Sequence, residues 1–314
     1  MKILIIKPSS FGDIVQSLPC ASALKDCVPN CEIHWVVFNG WDDIVSMCPD
    51  VDRIITWNRK NGIRGFFDVL KKVKRSEYDL AIDLQGLIRS AFLARYAKAK
   101  TKIGVPGMKE FSKFLIPEVY PKSSKINATI RNLEPVRFLG LTNFKLRAKI
   151  NIDDTILKSC QKILDKNKVI SRFITIFPFS RGKDKNWSPT NYQTLLNFIT
   201  NRYSKYQILI LGQKEDFEKI VTEKTVDLCG QTDIKQLAGI LSMSSLSIGA
   251  DTGPMHLSSM LNVPSIFIFG NSDINETAPY IGNFSTIVNR KNKKKIDDIT
   301  PSMVFSKVEK WLAE

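Results

Sequence analysis

Apolar residues fall in short solid runs, set between stretches where they recur every three or four positions. KILII (2–6), EIHWVVF (32–38), RIITW (53–57) and DLAIDL (79–84) have the length and continuity of strands covered on both faces. Between them the period lengthens. An amphipathic helix is expected over 13–27, a short one over WDDIVSMCP, and another over 63–76 with Phe66, Phe67, Leu70 and Val73 on its apolar side. The stretch 104–125, punctuated by Pro, Gly and Ser, is expected as loop or short helix. A helix over 128–139 stops at Gly140. Few periodic signals remain across 142–155, which reads as a linker. The alternation then restarts, with strands at 172–178, 207–212, 246–251 and 265–270. Helices are expected at 190–203, 216–225, 234–244 and 254–261, and a last one over SMVFSKVEKWLAE. Short buried strands separated by helices predict an α/β protein built from two doubly wound parallel sheets, in domains of residues 1–150 and 151–314. Ligands of such folds bind at the carboxyl ends of the strands, here in a cleft between the domains.

Composition narrows the class. A chain of 314 residues is too long for one ordinary core and fits two. Apolar content of 43% and charged content of 25% are those of a soluble globular protein. The N-terminal apolar stretch is only Ile3 to Ile6, too short for a signal peptide, and no run approaches the ~20 residues of a membrane span. The expectation is a cytoplasmic protein that meets membranes only at their surface. The six cysteines form no C-x-x-C pair and the only histidines are His34 and His256, which argues against a zinc site.

The net charge of +15 is unevenly placed. Residues 53–131 hold 18 Lys and Arg against 6 Asp and Glu. Such a bias predicts an anionic partner for the first half: nucleic acid, anionic lipid or an acidic glycan, unless it serves solubility alone. A nucleic-acid surface would interleave the basic residues with exposed aromatics or carry a known motif. No motif appears, and several aromatics in the segment stand at core spacing.

Neither half carries G-x-G-x-x-G or G-x-x-x-x-G-K-[ST]. Four other stretches carry chemistry. In KPSSFGDIVQSLP (7–19), Asp13 follows the first strand at a glycine turn, as a helix cap or as a base for an attacking hydroxyl. Ser9 and Ser10 compete for the capping role. In IDLQGLIRSA (82–91), Asp83 caps the next helix or meets a hydroxyl-rich ligand. FPFSRGKDKNWSP (177–189) places Ser180, Arg181, Lys183 and Lys185 at a strand's carboxyl end, where forked and point-charge donors suit phosphate. In GADTGPMHL (249–257), Pro254 suits the first helical turn. The unpaired N–H groups of that helix offer an anion site with His256 beside it, or else Asp251 or Thr252 simply caps it.

Together these stretches resemble glycosyltransferase family 9, the ADP-heptose:lipopolysaccharide heptosyltransferases, over nearly the whole chain. DLQGL, SRGKDKNWSP and ADTGPMHLSSMLNVPSIFIFG match the family's motifs, and ILIIKPSSFGDIVQSLP is closest to the type I enzymes. The resemblance implies a GT-B fold of two Rossmann-like domains, with the last helix crossing back to the first. It implies an inverting transfer of heptose from ADP-heptose to the 3-deoxy-octulosonate (Kdo) of lipid A, without a cofactor or metal. It implies Asp13 as general base and Ser180, Arg181, Lys185, Glu215, Asp251, Thr252, Gly253 and His256 on the donor. Ser10, Arg59, Lys60, Arg64, Asp83 and Gln85 fall on the acceptor side. The expected partners are ADP-heptose and an anionic Kdo–lipid A, met at the cytoplasmic face of the inner membrane, with no nucleic acid. The alternatives are heptosyltransferase II or a hexose transferase and, more remotely, a GT-B sugar-nucleotide epimerase or a basic nucleic-acid-binding protein. Two departures are visible. Asn127 stands where the family often has histidine, and Ser188 lengthens the phosphate-loop motif between Trp187 and Pro189.

Overall fold

The computed structural model describes residues 1–119, 126–180, 186–213, 220, 222–270, 272–289 and 295–312. The chain divides into two units between Asn151 and Ile152.

The first unit runs β1 (Lys2–Ile6), α1 (Phe11–Val15), α2 (Leu18–Cys27), β2 (Glu32–Phe38), α3 (Asp42–Ser46), β3 (Arg53–Trp57), α4 (Gly62–Lys74), β4 (Glu77–Asp83), α5 (Ile88–Tyr96), β5 (Lys98–Gly104) and α6 (Ala128–Phe138). Its sheet is parallel, in the order β3-β2-β1-β4-β5. β1 lies in the middle, and Ile3 to Ile6 are fully buried, as a solid apolar run requires. The chain proceeds from β1 to one side and later returns to the other, so the carboxyl ends of β1 and β4 form a topological switch point. Ile6 pairs with Asp83 there, and Lys7 and Leu84 leave the sheet side by side.

The second unit runs α7 (Asp154–Lys166), β6 (Arg172–Phe177), α8 (Pro189–Arg202), β7 (Tyr206–Ile210), β8 (Thr225–Asp227), α9 (Ile234–Met243), β9 (Leu246–Ala250), α10 (Gly253–Met260), β10 (Ser265–Phe269), α11 (Ile274–Thr277), β11 (Phe284–Val288) and α12 (Pro301–Leu312). Its parallel sheet has the order β11-β10-β9-β6-β7-β8, with the switch point between β6 and β9. The two strands end in register at Phe177 and Gly249. A Cβ on Gly249 would lie 2.9 Å from both the Cβ and the carbonyl oxygen of Phe177, so the close approach of these ends requires glycine.

Several elements differ from the sequence reading. The single helix expected over 13–27 is two, because Pro19 in the first turn of α2 has no N–H to continue α1. Phe67, expected on the buried side of α4, is 53% exposed, and Gly65 and Val69 join Leu70 and Val73 inside. β5, α7 and β11 went unread. β5 (KAKTKIG) is an edge strand with mostly solvated lysines, β11 is the opposite kind of edge with four half-buried residues, and α7 carries only Ile156, Cys160 and Leu164 as its buried stripe. In the helix expected over 216–225, Thr225 opens strand β8, and residues 216–219 and 221 lie outside the described residues. The last helix belongs to the second unit. α12 packs on α8 and on β10 and β11, and Val304 and Val308 enter that unit's core.

Replacing Gly249 with Ala should lower the melting temperature, by overpacking worth about 1–3 kcal/mol. Gly212 is the control, since a Cβ there would meet only Cys229 Sγ at an ordinary 3.6 Å. Calorimetry of both variants checks this, with Gly212→Ala close to the wild type.

Candidate active site

At the first switch point, β1 passes through Lys7, Pro8 and Ser9 to Ser10, the extended N-cap of α1. Asp13 is the third helical residue. The Ser10 N–H donates to Asp13 Oδ2 at 3.0 Å, and the Ser10 hydroxyl donates to the same oxygen. The capping position is therefore Ser10, and Asp13 is the reciprocating arm of a Ser-x-x-Asp capping box. Its carboxylate is nonetheless exposed at the carboxyl edge of the sheet.

Two cations act on that carboxylate. Lys7 is buried and donates from Nζ to the Leu84 carbonyl at 3.2 Å. Burial holds its pKa below the ordinary lysine value, and the Asp13 carboxylate is the largest influence opposing that shift. Arg131, on α6, donates from Nε to the Pro106 carbonyl at 2.7 Å. Burial lowers its pKa too, with Asp13 and then Asp83 working the other way. The first unit thus sets an exposed carboxylate in the field of a lysine and an arginine, both anchored to backbone carbonyls.

Asp83 is different from its acceptor-side expectation. It is fully buried, and Oδ1 accepts the N–H groups of Gln85 and Gly86 at 2.9 and 3.0 Å while Oδ2 accepts the Ser90 hydroxyl at 3.0 Å. Burial pushes its carboxyl up to about 6, against those bonds and Lys7. Its oxygens shape the turn at Gly86, whose φ of +69° suits glycine, and are not offered to a ligand. Gln85 stands at the crevice and accepts the Ser9 N–H at 3.4 Å through Oε1. Arg59, Lys60 and Arg64 are all exposed, on the 3-10 turn Arg59–Asn61 after β3 and the start of α4. Parallel strands put this turn on the same sheet edge as Asp13, with the Arg59 guanidinium over the Phe38 ring.

The second switch point gathers the other two motifs. Ser180 follows β6, and both its N–H and its hydroxyl donate to Asn186 Oδ1, at 2.6 and 2.9 Å. The Asn186 side chain thereby fastens the base of the loop. Arg181, Lys183 and Lys185 lie outside the described residues, as does Glu215. The inserted Ser188 has a structural reason: it is the N-cap of α8, accepting the Asn191 N–H, with Pro189 in the first turn.

After β9, Asp251 and Thr252 lead into α10. Thr252 occupies the N-cap with an extended backbone, yet its side chain makes no capping bond. Its hydroxyl is buried with no partner among the described residues. The first N–H groups of α10, beginning at Gly253, are left to whatever approaches the helix end, which is the arrangement that binds anions. His256 is buried one turn in, with Nε2 at 3.0 Å from Asp251 Oδ1 and its ring against Phe267. Asp251, Thr252, Gly253 and His256 thus form one cluster, across from the Ser180 strand end.

Sequence reasoning overlooked Lys7, Asn186 and the stranded Thr252 hydroxyl, and noted Arg131 only as a residue kept near Asn127. A lysine directly after a fully buried strand was the available signal for Lys7. The Asn186 bond to Ser180 and the buried Thr252 hydroxyl follow from how the chain folds at the strand ends, which residue type alone does not disclose.

Asp83→Ala should destabilise the protein by about 3 kcal/mol, since it strands two buried backbone donors. Asp83→Asn keeps an oxygen for them and should cost far less. The buried carboxyl binds a proton more tightly folded than unfolded. Wild-type stability relative to Asp83→Asn should therefore fall as pH rises from about 4 through about 6. Urea unfolding across that window measures both effects.

Comparison with known proteins places this geometry. The model of glycosyltransferase family 9 (heptosyltransferase) matches residues 66–303. A lipopolysaccharide heptosyltransferase 1 of Campylobacter coli is 27% identical, over 92% of this chain and 88% of its own. A family 9 glycosyl transferase from Veillonella parvula superposes with a TM-score of 0.88 at 18% identity, covering 99% of this chain and 97% of the other. The E. coli ADP-heptose lipopolysaccharide heptosyltransferase II superposes at 0.84 and 20% identity, covering 100% and 99%. At those identities the two structures speak for the fold, which is GT-B. Because the family model spans three quarters of the sequence and includes both the D-L-Q-G-L turn and the α10 signature, this chain belongs to glycosyltransferase family 9, the heptosyltransferases.

Proposed function

We propose that the protein transfers heptose from ADP-heptose to the Kdo of lipid A, with inversion at the anomeric carbon and without a cofactor or metal. The observation that carries the donor half is the open N-terminus of α10 with the unpartnered Thr252 hydroxyl, facing the Ser180 strand end. A diphosphate supplies the acceptor oxygens those donors lack. Partial positive charge at the helix end would stabilise the ADP that departs, where negative charge grows in the transition state. Ser180, Arg181 and Lys185 are assigned to the phosphates and Glu215 to the ribose. The Asp251–His256 pair stands where the heptose hydroxyls would meet a fixed carboxylate.

In the acceptor half, Asp13 takes the proton of the attacking Kdo hydroxyl. Its link to Ser10 holds the carboxylate in one orientation, and Lys7 and Arg131 offset the negative charge of an acceptor that carries carboxylates and phosphates. Ser10, Gln85, Arg59, Lys60 and Arg64 line the route by which such an anion arrives. Asp83 supports this site through the Gly86 turn and is not a contact. The Kdo acceptor rests on the K-P-S-S opening and on the type 1 relative; a heptosylated inner core as the preferred acceptor would return the protein to type II. No helix among the described residues is long and apolar enough to cross a membrane, and the reading places the enzyme at the cytoplasmic surface of the inner membrane.

Asp13→Asn should retain the Ser10 contact and the fold, because Asn still offers an oxygen, but lose about 10²–10⁴ in kcat. ADP affinity and melting temperature should hold; near-normal kcat would leave Asp13 as a capping-box residue only. Thr252→Val should not lower the melting temperature, since it removes a stranded hydroxyl, yet weaken ADP about 3- to 10-fold. Calorimetry with ADP and with adenosine separates the phosphate contribution, and an equal loss for both would contradict the assignment.

A further inference from the structure

The loop after β5 exposes two large aromatic rings. Phe111 is 79% exposed and Phe114 76% exposed, and their rings stack on each other at 6.2 Å rather than packing inward. The backbone is held in this arrangement against its preference. Glu110 and Phe111 have φ of +55° and +59°, a left-handed pair that costs roughly 1–2 kcal/mol per residue without glycine. Specific anchors hold it. Ser112 is fully buried, and its hydroxyl and the Lys109 N–H both reach the Gly86 carbonyl, at 3.1 and 2.8 Å. The Glu110 carboxylate accepts the Ile88 N–H at 3.1 Å. Ser112 is thus turned in and the two phenylalanines out, the reverse of what burial alone would favour.

The surroundings say what these rings fit. Lys109, Lys113 and Arg89 are exposed around them, and the Lys113 ammonium stands over the Phe114 ring at 5.9 Å. Exposed aromatics ringed by lysine and arginine match an anionic bilayer, with apolar rings entering the headgroup boundary and cations meeting lipid phosphates. The position matters as well. The loop hangs on Gly86, the turn that Asp83 and Gln85 build at the carboxyl end of β4, so it borders the switch point that presents Asp13.

We infer that Phe111 and Phe114, with Lys109, Lys113 and Arg89, form a membrane-docking surface that seats the first unit on an anionic bilayer. The inference rests on the proposed lipid acceptor for its purpose: a lipid whose acyl chains stay in the bilayer would present its sugar to the adjacent crevice. The surface itself is tested without turnover.

The test is co-sedimentation of the full chain with vesicles of phosphatidylcholine alone and with added phosphatidylglycerol. It uses wild type, Phe111→Ser/Phe114→Ser and Lys109→Gln/Lys113→Gln. The wild type should bind the anionic vesicles and release from them as salt rises. The phenylalanine pair should lose about tenfold or more in partitioning, the lysine pair about fivefold per charge, and both should keep the wild-type melting temperature. On a de-acylated, soluble acceptor the phenylalanine variant should turn over like the wild type. Equal partitioning of the phenylalanine variant and the wild type would overturn the proposal, as would a wild type that ignores anionic vesicles. A wild-type dimer that the phenylalanine pair converts to monomer, with vesicle binding unchanged, would make this face an interface between copies instead. Vesicle binding through the two rings by an enzyme inactive on any Kdo acceptor would sustain the surface and overturn the acceptor reading.

Discussion

A parallel strand in the middle of a sheet, with its chain leaving toward one neighbour and returning beside the other, cannot have its carboxyl end covered by its own connections. Both units are built around such a strand, β1 in one and β6 in the other. The rest of the site follows from this constraint. Backbones converge and must turn at once, which is why a Cβ on Gly249 would strike Phe177 and why Gly86 takes a positive φ. The first residues past the strands carry polar groups that neither sheet nor core can satisfy. Buried titratable side chains then collect there: Lys7 and Asp83 at the first switch point, and His256 with Asp251 beside it at the second.

The two switch points meet the constraint differently. In the first unit a carboxylate is exposed while nearly everything around it is tied down. Ser10 holds Asp13, backbone carbonyls hold Lys7 and Arg131, and Asp83 holds the turn that carries Gln85. In the second, the unmet groups are donors: the end of α10 and the Thr252 hydroxyl. One site is suited to accept a proton, the other to hold an anion. A transfer in which an alcohol loses its proton while a nucleoside diphosphate departs needs both.

Much of this was legible in the chain. Solid runs such as KILII announced the central strands, because a strand buried on both faces leaves no room for alternation. GADTGPMHL announced a helix start suited to an anion, because Pro254 and Gly253 mark that turn whatever surrounds it. Elements at the margins were not legible. β5 is mostly lysine and threonine because an edge strand is solvated, and α7 shows a stripe of only three residues. Nor could the sequence assign Asp83. A carboxylate at a strand end reads alike whether it points to a ligand or into the Gly86 turn, and only the fold brings Gln85, Gly86 and Ser90 around it. Phe67 misleads similarly, since an apolar residue at helical spacing does not disclose which way the fold turns it.

The central claim is that the first unit's exposed carboxylate and the second unit's open helix end serve one transfer. It is tested most directly by incubating the purified protein with ADP-heptose and de-acylated Kdo–lipid A. Mass spectrometry and anomeric proton NMR then identify the product. The account predicts one added heptose on Kdo, with anomeric configuration opposite to the donor's, formed by the wild type and not by Asp13→Asn. Retained configuration, transfer to no Kdo acceptor, or equal product from Asp13→Asn would contradict it.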